Sequence, residues 1–182
     1  MNFRTLVLVR HGEYDTDETG MFGLTARGRL QADATARHLA TETFDSAWSS
    51  TMLRARQTAE IVCAPLEMRH RTTPLLVEGA PTTLRASAVS PEQVEKDIRR
   101  MARAWDRFFA PSPGPRKDIL FCHANLIRFF MTRVLAIRTR AWTRFVASHC
   151  GISRVIVLPR GSLRLVSYNE TAHLPAELVT QA

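Results

Sequence analysis

Short apolar runs alternate along this sequence with longer segments of helical periodicity. Each apolar run suits a buried strand better than a helix, because it spans only a few residues between turn signals. The alternation predicts a single α/β domain over residues 1–182, a three-layer α/β/α sandwich with a mostly parallel central sheet. The strands are predicted at Leu6–Val9, Ser46–Ser49 and Ile119–Cys122, with an edge hairpin of Ile152–Leu158 and Leu163–Val166 around Pro159-Arg160-Gly161.

Four helices are predicted between these strands. Thr25 is the N-cap of the first, which runs to about Leu39–Thr41 with Leu30, Ala34 and Leu39 on one side. The other helices are predicted at Met52–Val62, Pro91–Ala110 and Leu126–Ile137, the last apolar nearly all round. Loops are predicted at Pro74–Pro81 and Pro111–Pro115.

The segment Pro91–Ala110 has the strongest helical pattern. Its apolar residues share one face of the predicted helix: Val94, Ile98, Met101, Trp105, Phe108 and Phe109. The opposite face carries arginines, Arg99, Arg100, Arg103 and Arg107. The pattern favours a core-facing helix with a solvated basic back, and the alternative is a stripe that binds a polyanion.

The size and composition are those of a globular protein with an unusual excess of positive charge. The 182 residues are 45% hydrophobic and 23% charged, which excludes disorder or a disulfide scaffold as the main architecture. The net charge is +8, and all but two of the 25 basic residues are arginine. Arginine suits the bidentate capture of phosphate, so phosphorylated substrates, nucleic acid and anionic membranes are all candidate partners. The alternative is a merely basic surface.

The cysteines and the N-terminus bear on location. Cys63, Cys122 and Cys150 are odd in number and widely spaced, which favours a reducing compartment and argues against a zinc site. Only five uncharged residues separate Arg4 from Arg10, too few for a secretion signal or a membrane span. We therefore expect a cytoplasmic protein without a membrane anchor.

Two predicted strands end at a histidine. His11 follows the first strand, beside Arg10, and His123 follows the strand Ile119–Cys122. Ligands of open α/β sheets bind beyond the carboxyl ends of the strands. Arg54 begins the second helix, also after a strand. Together these residues predict an electropositive pocket for a phosphoryl group, to which Ala124 and Asn125 add amides at a helix N-terminus.

Four motifs around these residues resemble those of the histidine phosphatase superfamily, the phosphoglycerate mutase-like proteins, in the family's order. They are Arg10-His11-Gly12-Glu13, the Leu24 to Ala32 segment, the Ser50 to Ala59 segment, and Cys122 to Arg128. Within the family the sequence most resembles the mitochondrial serine/threonine protein phosphatases, notably at Leu75 to Pro81.

The resemblance implies a reaction and a role for each residue. His11 is the nucleophile that accepts the phosphoryl group, and Arg10, Arg54 and His123 supply positive charge. Glu78 matches the family's acid, which donates a proton to the leaving group if burial raises its pKa. Glu13 and Asp17 are alternatives for the acid. The substrate-facing rim is assigned to Glu13, Asp17 and Gly23, and no metal or cofactor is implied.

A metal-independent phosphomonoesterase is therefore the leading function. Its expected partners are a phosphorylated protein (phospho-Ser/Thr or phosphohistidine) or a small phosphorylated metabolite. Nucleic acid is not expected, and a homodimer is left open. A phosphoglycerate mutase is disfavoured, because the longer insertion of such members is missing. A non-catalytic phosphate- or polyanion-binding module is the third alternative. Cys122 beside His123 could suggest a thiol nucleophile, but strand alternation favours a buried, inert thiol.

Overall fold

The computed structural model describes residues 3–16, 22–82 and 89–181. Six strands form its central sheet: β1 (Arg4–Arg10), β4 (Ser46–Ser50), β5 (His70–Thr73), β6 (Arg116–Cys122), β7 (Ile152–Val157) and β8 (Leu163–Glu170). Two further strands, β2 (Tyr14–Thr16) and β3 (Phe22–Leu24), form a separate antiparallel pair.

The sheet has the order β5-β4-β6-β1-β7-β8. β5, β4, β6 and β1 run parallel, whereas β7 is antiparallel to both of its neighbours. Five of the six strands therefore point the same way, which confirms the mostly parallel sheet and places the predicted hairpin at its edge. The carboxyl ends of β4, β6 and β1 lie side by side.

Within the described ranges, four α-helices cover the sheet. They are α1 (Ala26–Leu39), α2 (Leu53–Cys63), α3 (Pro91–Phe108) and α4 (Ala124–Val134). Thr25 caps α1, since its side chain accepts a hydrogen bond from Gly28 N at 3.0 Å, as the sequence predicted. Ser90 caps α3 in the same way. Within the described residues, no helix is long and apolar enough to cross a bilayer.

Alternating side chains of β1 divide the core into two halves. Leu6 and Leu8 pack on one side with residues of α3 and α4. Val7 and Val9 pack on the other side with residues of α1 and α2. The predicted three-layer α/β/α architecture is confirmed.

Three side chains correct the predicted helix faces. Leu30 is 54% exposed, because it lies nine positions before buried Leu39, which places the two about 180° apart on the helix. Ile98 is 37% exposed at the margin of the apolar face of α3. Arg100 does not belong to a solvated back: it is partly buried and bonds to the backbone of Val77 and Glu78.

The structure also moves some boundaries. α4 ends at Val134 rather than Ile137, because Ala136 adopts a left-handed conformation (φ 52°) that ends the helix. Ile137 is therefore exposed. The sequence analysis missed β5, whose polar residues His70-Arg71-Thr72-Thr73 carry no apolar pattern. The predicted loop Pro74–Pro81 begins with a 3₁₀ turn, Pro74–Leu76.

Candidate active site

Two histidines meet at the carboxyl edge of the sheet. His11 follows β1 and His123 follows β6, and parallel pairing of these strands brings the ring centroids to 4.9 Å. Both rings are buried. The fold therefore brings His11 and His123 together, as the sequence predicted.

Hydrogen bonds fix the tautomer of His11. Its Nδ1 lies 2.8 Å from the carbonyl oxygen of Gly12, which only accepts, so Nδ1 carries the proton. Arg54 Nε donates to Nε2 of His11 at 3.2 Å, so Nε2 presents a lone pair. Burial, aided by His123 and Arg10, holds the pKa of His11 well below its usual value. The imidazole is neutral, with Nε2 as its nucleophilic atom.

Arg10 is held by residues from the far end of the chain. Its guanidinium donates to the carbonyl of Ala147 and, at 2.9 Å, to Nε2 of His149. Because His149 accepts there, its other nitrogen is the donor to Thr180 Oγ1 at 2.8 Å. Burial lowers the pKa of His149 to about 3 and that of Arg10 to about 10, so Arg10 is charged and His149 neutral near pH 7.

Arg54 occupies the first turn of α2, directly after β4. Its guanidinium lies 4.3 Å from the ring centroid of Tyr14, whose edge also contacts His11. The side chain is buried, and burial lowers its pKa. Arg54 thus places desolvated positive charge next to Nε2 of His11, and the charge of Arg10 also acts on this ring.

His123 occupies the N-cap position of α4, and its side chain contacts the end of β4. Its Nε2 lies 2.8 Å from Ser50 Oγ, and its buried Nδ1 has no hydrogen-bond partner among the described residues. Burial, with Arg54 and Arg10 nearby, holds its pKa well below the usual value. Buried ring nitrogens usually have a hydrogen-bond partner, and a bound ligand is one of the few partners that Nδ1 of His123 can have here.

Glu78 reaches this edge from the loop after β5. Its Oε1 accepts hydrogen bonds from the amides of Asn125, at 3.1 Å, and Gly79, at 3.3 Å. Burial raises the pKa of Glu78, although both amides and the two arginines Arg10 and Arg54 oppose the rise. A carboxyl group with a raised pKa can act as a proton donor near neutral pH.

The start of α4 provides the predicted amides. Ala124 is buried and opens the helix, and Asn125 gives its amide to Glu78 in this structure. The phosphate-binding roles of Ala124 and Asn125 stay predictions.

Two of the three rim residues, Glu13 and Gly23, lie within the described part of the chain. Glu13 bonds through its carboxylate to Thr25 Oγ1 at 2.9 Å and Arg27 at 3.3 Å, at the start of α1. Gly23 lies in β3. It lines a cleft of about 280 Å³ between β3 and the start of α2, together with Leu53 and Gln57. Asp17 lies outside the described residues.

Two glycines allow β1 and α1 to approach closely beside His11. A Cβ atom on Gly12 would lie 2.5 Å from the carbonyl oxygen of Gly28. A Cβ atom on Gly28 would overlap the carbonyl oxygen of Glu13. The segment after His11 can therefore keep this path only if both positions lack a side chain.

The three cysteines are buried, free thiols with raised pKa values. Cys122 packs in the core on the α3–α4 side, and burial raises the pKa of its thiol. Cys63 and Cys150 are also buried and free, each with a pKa raised to about 12. In the part of the chain described, no three His, Cys, Asp or Glu side chains are grouped so as to hold a metal ion.

Sequence reasoning missed three contributors. Tyr14 contacts Arg54, Ser50 contacts His123, and His149 contacts Arg10. Tyr14 and Ser50 stand in or next to the quoted motifs, so adjacency could have suggested them. Nothing near His149 in the linear sequence points to Arg10, because 139 positions separate the two.

This site has a neutral histidine with a lone pair on Nε2 beside buried arginines, at the carboxyl edge of an α/β sheet. Such a site defines a class of proteins that act on phosphoryl groups. The profile of the histidine phosphatase superfamily (branch 1) matches residues 6–83. The chain belongs to the histidine phosphatase superfamily.

Its curated relatives include the mitochondrial serine/threonine-protein phosphatases Pgam5 of Drosophila persimilis and Caenorhabditis elegans. They are 33% and 29% identical over 97% of this chain. The chain spans 66% of the length of each, so what the whole relatives do is carried over below only as a proposal.

Solved structures agree with the fold. The phosphoglycerate mutase of Plasmodium falciparum is 26% identical, covers both chains completely and has a TM-score of 0.69. A mutant phosphoserine phosphatase of Entamoeba histolytica, in complex with phosphoserine, is 18% identical, with 94% of this chain and 100% of the other covered and a TM-score of 0.71. At that lower identity the likeness concerns the fold alone.

Proposed function

We propose that the protein is a phosphomonoesterase that works through a phosphohistidine at His11. The observation that carries the proposal is the orientation of this ring. Nδ1–H is tied to the Gly12 carbonyl and Nε2 keeps its lone pair, in contact with Arg54. A histidine nucleophile needs a neutral, oriented ring, and burial together with nearby cations keeps it neutral.

The surrounding charge suits the transferring phosphoryl group. Its transition state spreads negative charge over three equatorial oxygens, and fixed cations stabilise that charge without reorganisation. Arg10 and Arg54 are buried and charged, and among the residues that the structure describes Arg10 Nε and His123 Nδ1 have no hydrogen-bond partner. These groups could supply electrostatic stabilisation that other phosphoryl-transfer sites take from a metal ion, which supports metal independence as part of the proposal.

The reaction has two steps. Nε2 of His11 attacks phosphorus, the bond from phosphorus to the leaving oxygen breaks, and Glu78 gives that oxygen its proton. Water then attacks the phosphohistidine, Glu78 takes a proton from the water, and the phosphorus–nitrogen bond breaks to release phosphate. The raised pKa of Glu78 supports its role as acid in the first step.

A phosphorylated protein, bearing phosphoserine, phosphothreonine or phosphohistidine, is the substrate class we propose first. The relatives at about 30% identity are named serine/threonine-protein phosphatases. Small phosphorylated metabolites are the alternative substrates. We also propose a cytoplasmic location, which the three free, buried cysteines support, although the relatives are named mitochondrial.

A phosphoglycerate mutase is the second candidate function. The argument from a missing insertion is weakened, because the Plasmodium mutase matches this chain from end to end at 26% identity. A mutase returns the phosphoryl group to an alcohol rather than to water. Incubation with labelled phosphoglycerate separates the two, since a mutase gives an isomer and a phosphatase gives inorganic phosphate.

Rapid-quench labelling tests the proposed intermediate. Phosphorus label should appear on the wild-type protein in a base-stable, acid-labile form during turnover of a phosphoserine peptide, and be missing from His11→Ala. His38→Ala is the matched control, because His38 is exposed on α1 and should leave the labelling unchanged. Label that persists on His11→Ala would assign the nucleophile elsewhere.

A further inference from the structure

Two charged residues of α3 hold the backbone of the loop that carries Glu78. Arg100 donates through Nη1 to the carbonyl of Val77 and through Nη2 to the carbonyl of Glu78, the latter at 2.8 Å. Asp97 accepts the amide of Ala80 through Oδ2 at 3.0 Å. Of the four consecutive backbone positions from Val77 to Ala80, all except Gly79 are therefore bonded to one turn of α3.

The two side chains also bond to each other. Arg100 Nη2 lies 2.9 Å from Asp97 Oδ1, which additionally accepts from Gln93 Nε2 at 3.1 Å. The carboxylate of Asp97 thus has partners from the loop, from Arg100 and from its own helix. A buried carboxylate is costly unless it is paired in this way, so an apolar residue would suit simple helix packing better.

The fit between loop and helix leaves no room at Gly79. A Cβ atom there would lie 2.6 Å from Cγ of Asp97 and closer still to Arg100. The loop backbone therefore lies directly against the charged pair, without an intervening side chain.

A neighbouring ion pair on the same helix shows what an ordinary surface pair looks like here. Arg99 bonds to Glu95 at 2.6 Å on another face of α3, with side chains 62% and 65% exposed. The side chains of Arg100 and Asp97 are only 19% and 9% exposed. Exposed pairs such as Arg99–Glu95 contribute little, and this pair supplies a matched control.

We propose that Asp97 and Arg100 are positioning residues that fix the loop of Glu78 so that its carboxyl group meets the start of α4 beside His123. The inference deepens the proposed function and rests on it. We call the hydrogen bonds that Asp97 and Arg100 make with the loop backbone the clamp. The clamp fixes the backbone of Glu78, and the Asn125 amide fixes its Oε1. An acid held this way loses little entropy on reaching the leaving oxygen, and a misplacement of about 1 Å can cost about 10²-fold in rate.

The clamp makes a prediction that depends on the leaving group. Arg100→Met should lower the single-turnover rate on a phosphoserine peptide about 10- to 100-fold, and much less on p-nitrophenyl phosphate, whose leaving group needs no proton. Arg99→Met should stay within about twofold of wild type on both, as expected for an exposed pair. Equal losses on both substrates in Arg100→Met, or a rate like that of Arg99→Met, would overturn the proposal.

Arg100→Lys separates geometry from charge, which matters because the charge of Arg100 also acts on His123. Lysine keeps the charge but lacks the planar fork that bonds two carbonyls, so an intermediate rate on the phosphoserine peptide is expected. A wild-type rate in Arg100→Lys would mean that charge alone matters, and the positioning role would be wrong.

Amide hydrogen exchange measures how firmly the clamp holds the loop, independently of catalysis. The amide of Ala80 should exchange faster in Arg100→Met and in the near-isosteric Asp97→Asn, and at the wild-type rate in Arg99→Met. Unchanged exchange in both clamp variants would refute the proposal. Should the wild type show no phosphatase turnover, the proposed function fails, and the exchange result still decides whether the clamp holds the loop.

Discussion

Replacing Arg54 with methionine tests the electrostatic argument most directly. Arg54 Nε lies 3.2 Å from Nε2 of His11, the atom that receives the phosphoryl group, so its guanidinium is within reach of the transferring oxygens. Methionine keeps an unbranched apolar side chain but removes the donors and the charge. Loss of one preorganised donor costs about 10²–10³ in kcat, or about 2.7–4 kcal/mol, and we expect Arg54→Met to fall in that range.

The stability of this variant should change little. The folded protein holds the Arg54 charge away from water, and this burial lowers the pKa of Arg54 although Tyr14 and Glu78 oppose the fall. Removal relieves that cost but gives up the contact with Tyr14, which is worth about 0.5–2 kcal/mol. Because the two effects oppose each other, we expect a Tm within about 4 °C of wild type.

The assay combines single-turnover kinetics with thermal unfolding. Arg56→Met is the matched control, because Arg56 lies two residues further along α2, where its charge acts on His70. It should keep the wild-type rate. The reasoning would be refuted if Arg54→Met kept a normal rate, or if its lost rate came with a large fall in Tm, which would make Arg54 a structural residue.

Four further predictions concern the site and the packing beside it. Glu78→Gln should lower the single-turnover rate on phosphoserine peptides about 10²–10⁴-fold and that on p-nitrophenyl phosphate far less, and equal losses would mean that Glu78 only shapes the pocket. Because burial raises the pKa of Glu78, the acid stays protonated to higher pH than an exposed glutamate. The wild-type phosphoserine rate should therefore fall as pH rises through that raised pKa, with a smaller change for the nitrophenyl ester; pH profiles that are the same for both substrates would contradict this. Turnover should survive EDTA and be blocked by vanadate, and activity lost on chelation and restored by magnesium would contradict the proposed electrostatics. Gly28→Ala should lower the free energy of unfolding in urea by about 1–3 kcal/mol, because its Cβ would overlap the Glu13 carbonyl, whereas Gly114→Ala, with open space around it, should not; equal effects would contradict the packing argument.

Some of this protein could be inferred from local sequence. Leu6–Val9 and Ile119–Cys122 are apolar runs that end abruptly, so their strands and the histidines that follow them are visible without a structure. Thr25 marks a helix start because a cap needs only its own neighbours along the chain. His11 and His123 could therefore be placed at one edge of a parallel sheet by topology alone.

Residues whose roles depend on distant partners were misread or missed. Arg100 looked like one of four solvated arginines, because helical periodicity reports only which way a side chain points and not what packs against it. The loop after β5 packs against Arg100, which lies 22 positions from Glu78 in the sequence, and Arg100 donates a hydrogen bond to the backbone of that loop. His149 was invisible for the same reason.

The sequence by itself determined the alternation of apolar strands with helices and the residue types that meet at the sheet's carboxyl edge, because these follow from periodicity, capping and chain direction. Only the tertiary structure decided the protonation and the partners of those residues. The proton on Nδ1 of His11, the lowered pKa of His149 and the raised pKa of Glu78 all arise from burial and from atoms brought within about 3 Å by folding. Desolvation and hydrogen bonding act through space, so no linear pattern encodes them.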